Sequence, residues 1–194
     1  MSQPTDTELV LSTRHGDREA FCELVRRYQR PLYNGAYRIT LHAADAGEAT
    51  QTAFVKAFTH LDRFDTARSF FSWIYRILVH ESLDLCAQRR RFTPYQSSTD
   101  VRREPRDPER ELEATEVVEQ VRRALGTLSP DHRTVIALRH YDGLSYREIA
   151  DLLELDETTV KSRLYEARQR LRDTLAALGL LGDTPRSSGR RAPG

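Results

Sequence analysis

Residues 157–172, ETTVKSRLYEARQRLR, hold Lys161, Arg163, Arg168, Arg170 and Arg172 among short polar side chains and one tyrosine. Val160, Leu164, Ala167 and Leu171 recur at spacings of four, three and four, which makes them one apolar stripe of a helix. At about 100° per residue, Thr158, Ser162, Tyr165 and Gln169 fall roughly opposite that stripe. Lys161 and Arg168 lie on one flank, Arg163 and Arg170 on the other. The chemistry on offer is recognition rather than bond making. Hydroxyls and a phenol suit base edges in a major groove, and the cations suit its two phosphate walls. Glu166 can accept from a cytosine amine or pair with Arg163 or Arg170.

That helix needs a partner to present it, and the preceding residues supply one. Ser145 followed by Glu148 is a capping box, and Leu144 with Ile149 stands where a hydrophobic staple would. Ile149, Ala150, Leu152 and Leu153 give a short helix its apolar side, Glu154-Leu155-Asp156 reads as a turn, and Asp156 can cap the helix that follows. Two helices across a tight turn, the second basic, form the pattern of a DNA-reading helix-turn-helix.

A second candidate surface lies on a helix predicted from Phe70 to about Arg90. Its core stripe is Ile74, Ile77, Leu78, Glu81 and Leu85, and facing away are Trp73, Arg76, His80, Leu83 and Ala87. An aromatic, a cation and an imidazole on one face, ending in Arg89-Arg90-Arg91, suit a surface that stacks and neutralises unpaired nucleic acid. The competing reading makes Trp73 a core residue and Arg76 a solubilising charge. Upstream, residues 45–61 place Ala46, Ala49, Ala53, Phe54, Ala57, Phe58 and Leu61 on one side of a helix and Asp45, Glu48, Gln51 and Thr52 on the other.

No nucleophile–base set, Gly-rich phosphate loop or Cys/His metal cluster is visible. Catalytic residues, metal and cofactor are therefore not expected, and the chain reads as no enzyme. The formal charge of +1 gives no global steering toward nucleic acid, so the basic character is local. Cys22 and Cys86 belong to no motif and are expected as buried, reduced packing residues. With no signal-peptide pattern, and no apolar run near the roughly 18 residues a membrane span needs, a cytoplasmic protein is expected.

The fold class read from these patterns is all-α, with two small helical domains joined by a flexible linker. Thr5 and Glu8 cap a first helix, Asp17 caps a second, and Pro31 should break or kink the latter; Tyr28, Tyr33 and Tyr37 are expected to pack in the core. The first domain spans residues 1–91, and 92–107 is the Pro- and Ser-rich linker. Residues 108–178 form a four-helix domain containing the helix-turn-helix. Helices there start at Asp107-Pro108 and Ser129-Pro130, with Val135, Ile136, Leu138 and Tyr141 inward. Residues 179–194 are a disordered tail.

Together the blocks FCELVRRYQRPLYNGAYRIT, DAGEATQTAFVKAFTHLDRFD, SFFSWIYRILVHESLD, LSPDHRTVIALRHYDGLSYREIA and TVKSRLYEARQRLR, in that order, resemble a bacterial extracytoplasmic-function sigma factor. The resemblance implies promoter-directed initiation of transcription. It implies that Asp45, Glu48, Gln51, Phe54 and Phe58 dock on the clamp coiled coil of the largest subunit of core RNA polymerase, and that the flap of the second-largest subunit is a further contact. It implies that Phe64, Phe70, Ser72, Trp73, Arg76, His80, Asp84, Arg89, Arg90 and Arg91 melt and hold the single-stranded minus-ten element. Thr158, Thr159, Lys161, Ser162, Arg163, Tyr165, Glu166, Arg168 and Arg170 would read the minus-thirty-five duplex. An anti-sigma factor is a further candidate partner; membrane insertion is not expected. Two other readings are a sigma-like decoy for an anti-sigma factor and a dimeric helix-turn-helix regulator. Gly47, Glu48 and Thr52 depart from the family's more acidic pattern, His80 and Ala87 stand where Asn and Arg are common, and Glu154 and Thr158 replace frequent glycines.

Overall fold

The computed structural model describes residues 3–92 and 111–180 and is helical throughout them, with no strand among the described residues. The expected linker, the helix start at Asp107-Pro108 and the tail beyond residue 180 lie outside the described residues. Four helices build the first half: α1 (Asp6–Arg14), α2 (Arg18–Thr40), α3 (Ala43–Thr59) and α4 (Phe70–Phe92), with a 3-10 turn at Leu61–Arg63 between the last two. Four more build the second: α5 (Glu111–Gly126), α6 (Pro130–His140), α7 (Tyr146–Leu153) and α8 (Glu157–Ala177).

Local rules set most of the helix ends. The Thr5–Glu8 and Ser145–Glu148 boxes both close reciprocally, and Asp17, Ser129 and Asp156 each accept from backbone N–H groups of the first turn. Glu154 ends α7 with φ 55°, a left-handed cap that glycine would adopt without steric cost.

Four expectations need correction. Of the break or kink expected at Pro31, the break does not occur: α2 continues through it from Arg18 to Thr40. Leu24, Leu32, Ala36 and Ile39 on either side are fully buried, and their shared packing offsets the one backbone hydrogen bond that proline removes. Tyr141 is 53% exposed, because the Arg38 guanidinium stacks 4.7 Å from its ring centre and holds it at the rim. Cys22 is exposed, while Cys86 is buried as expected. On α4 the buried stripe is rotated from the one the spacing suggested: Tyr75, Val79, Ser82 and Cys86 are buried beside Ile74 and Leu78, while Ile77, Glu81 and Leu85 are only half-buried.

Part of that rotation, at Tyr75 and Cys86, comes from the second half, which packs on the first. The Tyr75 hydroxyl donates to Asp142 Oδ2 at 2.7 Å, and Arg38 lies 3.4 Å from Asp142 Oδ1. Gly35 permits this approach: a Cβ there would come within 2.7 Å of the Tyr75 ring. Arg133 of α6, buried, donates from Nε to the Ile39 carbonyl at 2.6 Å, and Arg122 of α5 donates to the Tyr37 hydroxyl at 3.2 Å. Burial pushes the Asp142 carboxyl up and Arg133 down from their ordinary pKa values.

Candidate nucleic-acid and polymerase interface

The recognition helix is seated by its apolar stripe. Val160, Leu164 and Ala167 are fully or almost fully buried against α6 and α7, as their spacing predicts. Burial of this stripe turns Thr158, Lys161, Ser162, Tyr165, Arg168 and Arg172 outward together, Tyr165 with 65% of its surface free. Thr159 is not free for DNA: its N–H and hydroxyl both donate to Asp156, each at 2.7 Å. Those bonds hold the Asp156 carboxyl below its usual range and fix the start of α8.

Three of the flanking charges, Lys161, Arg163 and Arg168, have partners within the fold. Arg163 lies 4.0 Å from Asp131, and Glu166 lies 3.4 Å from His132 Nε2 rather than beside the arginines proposed from sequence. Arg168 donates to His140 Nε2 at 3.3 Å. Partial burial, then Arg168 and Arg139, lower the His140 pKa, so the imidazole stays neutral and can accept. Lys161 pairs with Glu157 at 3.5 Å across one turn and remains 56% exposed. Arg170 is exposed.

On α4, Ser72, Arg76, Asp84, Arg90 and Arg91 are exposed and His80 is half-buried, so the expected outer strip exists. Trp73 is half-buried at its head, its ring centre 4.9 Å from Phe64 and 5.9 Å from Phe70. Phe64 and Phe70 themselves are buried, which corrects their assignment as contacts: they are the platform beneath Trp73. Arg89 is likewise occupied, by the His42 ring at 2.8 Å and Asp45 at 3.2 Å. Both halves of that pair were expected to face partners, Asp45 toward polymerase and Arg89 toward DNA. Instead they tie the start of α3 to the end of α4.

Between α2 and α3 runs an open groove of about 550 Å³, lined by Val25, Arg30 and Tyr33 on one wall and Gln51, Phe54 and Val55 on the other. Phe54 is buried at its floor, whereas Val55 and Phe58 are exposed at 58% and 47% and Glu48 is exposed. Sequence reasoning found the α3 wall and missed the α2 wall, because Val25 and Tyr33 read as ordinary core positions. At Gly47 an added Cβ would meet nothing within 4 Å, so this groove lacks an acid there without any steric reason.

No group of three or more His, Cys, Asp or Glu among the described residues is arranged to hold a metal. No described helix is long and apolar enough to cross a membrane.

An α3/α4 unit with an aromatic-cationic face, followed by a basic helix-turn-helix, is an arrangement that known families share. The family pattern of Sigma-70 region 2 matches residues 24–92, and that of Sigma-70, region 4, matches residues 118–171. The chain belongs to the sigma-70 family of RNA polymerase sigma factors, and within it to the extracytoplasmic-function group. It is 36% identical over 179 residues to the ECF RNA polymerase sigma-E factor of Escherichia coli, across 86% of this chain and 92% of that one. To the RNA polymerase sigma-H factor of Pseudomonas aeruginosa it is 30% identical over 191 residues, across 92% and 97%. Among solved structures it is similar to CnrH in complex with the cytosolic domain of CnrY, with TM-score 0.62 and 28% identity over 89% of this chain and 97% of that one. The sigma factor RpoE of Bartonella quintana, in complex with the anti-sigma factor NepR, shares the fold at TM-score 0.64 and 24% identity, over 80% and 96%.

Proposed function

As a sigma factor the chain directs promoter-specific initiation; we propose how its residues divide that work. Residues 1–91 bind core polymerase and open the minus-ten element, 108–178 read the minus-thirty-five element, and 92–107 join them. The clamp coiled coil of the largest subunit enters the α2/α3 groove, packing on Val55 with Gln51 and Arg30 among its lining, while Phe58 and Glu48 are exposed elsewhere on α3. The flap of the second-largest subunit binds the second half. Unpaired bases stack on Trp73 while Arg76, Arg90 and Arg91 neutralise their phosphates. Duplex upstream is read by Thr158, Ser162 and Tyr165, with Lys161, Arg168 and Arg172 on the phosphates. With RpoE solved in complex with the anti-sigma factor NepR and CnrH in complex with the cytosolic domain of CnrY, an anti-sigma factor is the inhibitor to look for. The work is cytoplasmic, and bond formation is left to the polymerase.

The observation that carries this reading is that one chain exposes both surfaces: the Tyr165 and Lys161 face on α8 and the Trp73 and Arg76 face on α4. A decoy would have no use for the first, and a simple repressor none for the second. The test is transcription in vitro from genomic fragments by purified core polymerase, with and without the chain, with RNA start points sequenced. New starts that share two spaced upstream motifs are expected; their absence, with polymerase still co-purifying, would favour the decoy.

Lys161→Ala is expected to weaken binding to all promoter sequences alike and to reduce the slope of log affinity against log salt by about 1. Its ion pair with Glu157 is exposed and contributes little, so folding should be unaffected. A loss confined to particular upstream bases would move Lys161 from the phosphate to a base edge.

A further inference from the structure

The loop between the 3-10 turn and α4 lies next to Trp73 and leads directly into the aromatic-cationic face. Within the loop, Asp65 Oδ1 accepts from the Ala67 N–H and its carbonyl from the Arg68 N–H, both at 3.0 Å, and Ser69 Oγ accepts from the Ser72 N–H at 3.3 Å. These bonds shape the loop internally. Its root is held from elsewhere in the sequence, by Arg14 at the end of α1. Arg14 Nε and Nη2 donate to the Leu61 carbonyl at 3.0 and 2.7 Å, and Nη2 also donates to the Phe64 carbonyl.

The two carbonyls bracket the 3-10 turn. Phe64 is where the backbone leaves that turn for extended geometry, with φ −68° and ψ 128°. Its ring goes inward beneath Trp73, and its carbonyl sits at the threshold of the exposed loop. One planar guanidinium thus fixes both the platform of the Trp73 ring and the departure point of residues 65–69. A fork of fixed geometry can do this; a lysine ammonium offers a point charge on a flexible stem. The grip is firm because α1 is itself anchored. Its Thr5–Glu8 box is closed, Leu9 and Val10 are buried, and Asp6 pairs with Arg27 at 2.5 Å.

We propose that Arg14 is a positioning residue for minus-ten recognition, acting through the Leu61 and Phe64 carbonyls to set the loop and Trp73 at the spacing unpaired bases require. It touches no DNA itself, and the assignment rests on the reading of the α4 face given above. Arg14 remains exposed over part of its surface, so its removal leaves both carbonyls accessible to water instead of orphaned in a core.

The experiment uses the full chain with core polymerase on a promoter found by the transcription assay. Arg14→Ala, Arg14→Lys and Trp73→Ala are compared with the parent for melting temperature, core affinity, permanganate reactivity of minus-ten thymines, and base preference in a randomised minus-ten library. Arg14→Ala is expected to keep core affinity within about twofold, to lower the melting temperature by no more than about 4 °C, to lower opening about tenfold, the net worth of roughly one such hydrogen bond, and to flatten base preference. Arg14→Lys should recover part of the opening. If Arg14→Ala opens promoters with parental rate and preference while Trp73→Ala fails, the proposal falls and the surface reading stands. If Trp73→Ala is also parental, the surface reading falls with it. Equal losses in stability, core affinity and opening would make Arg14 a general structural residue and overturn the proposal too.

Discussion

Phe70→Ala is expected to cost the folded protein about 3–5 kcal/mol, the range for emptying a buried aromatic site. Phe70 is 1% exposed and is the hub of an aromatic cluster. Its ring centre lies 5.8 Å from Phe64 at 88°, 5.9 Å from Trp73 and 6.0 Å from Tyr28. Removal would take from Phe64 its edge contact and from Trp73 one of its two supports. Against a typical total of about 5–15 kcal/mol, such a loss leaves little reserve, so Phe70→Leu provides the milder comparison at under about 1.5 kcal/mol. Urea titration decides it: the midpoint should fall while the slope stays constant. A Phe70→Ala variant as stable as the parent yet unable to open promoters would place the ring on DNA, as sequence reasoning had expected.

The free chain instead turns that ring inward, for a reason the cluster makes plain. Phe64, Phe70 and Trp73 are all aromatic and all close to the loop, and nothing in their types says which two lie inward. The choice is made by how α4 rotates against α2 and α3, through Tyr28 from a helix 42 positions earlier in the chain. Where structure is decided within one turn, sequence reading succeeded. The Thr5–Glu8 and Ser145–Glu148 boxes and the Asp156 cap all formed as expected, because each needs partners no more than four residues away, and the Val160–Leu164–Ala167 stripe was legible because helical spacing alone puts its members on one face. Arg14 was missed because its partners are 47 and 50 positions distant. Asp45 and Arg89 were read separately as exposed functional groups for the same reason: their pairing spans 44 positions and appears only once α3 and α4 pack.

Arg133→Ala is expected to destabilise the closed arrangement of the two halves by about 1.5–3 kcal/mol, the worth of a hydrogen bond involving a charged group. Arg133 is 8% exposed, and its Nε reaches the Ile39 carbonyl, which belongs to the last turn of α2 and has no further helical partner. The Cys86 thiol, 3.9 Å away, is a weak substitute. Arg133→Met keeps the side chain's volume and removes the buried cation, so it should cost less, and the difference between the variants isolates packing from charge. The second clasp, Tyr75 to Asp142, has the opposite sensitivity. Burial raises the Asp142 pKa although the Tyr75 hydrogen bond and Arg38 both lower it, so it is the burial of this carboxyl, not the clasp bond, that favours closure below the unfolded value and weakens it as pH rises through the folded one. On the proposed reading these clasps must open in use. Elements ten and thirty-five base pairs upstream are about 25 base pairs apart, on the order of 85 Å at the duplex rise, whereas the two halves here pack on one shared core. The free energy of closure is subtracted from promoter binding. Arg133→Ala should therefore lower thermal stability and, in small-angle scattering, enlarge the free chain, while raising affinity of its complex with core polymerase for a promoter carrying both elements. Lower affinity together with lower stability would mean that Arg133 supports the recognition domain itself rather than its closure onto α2.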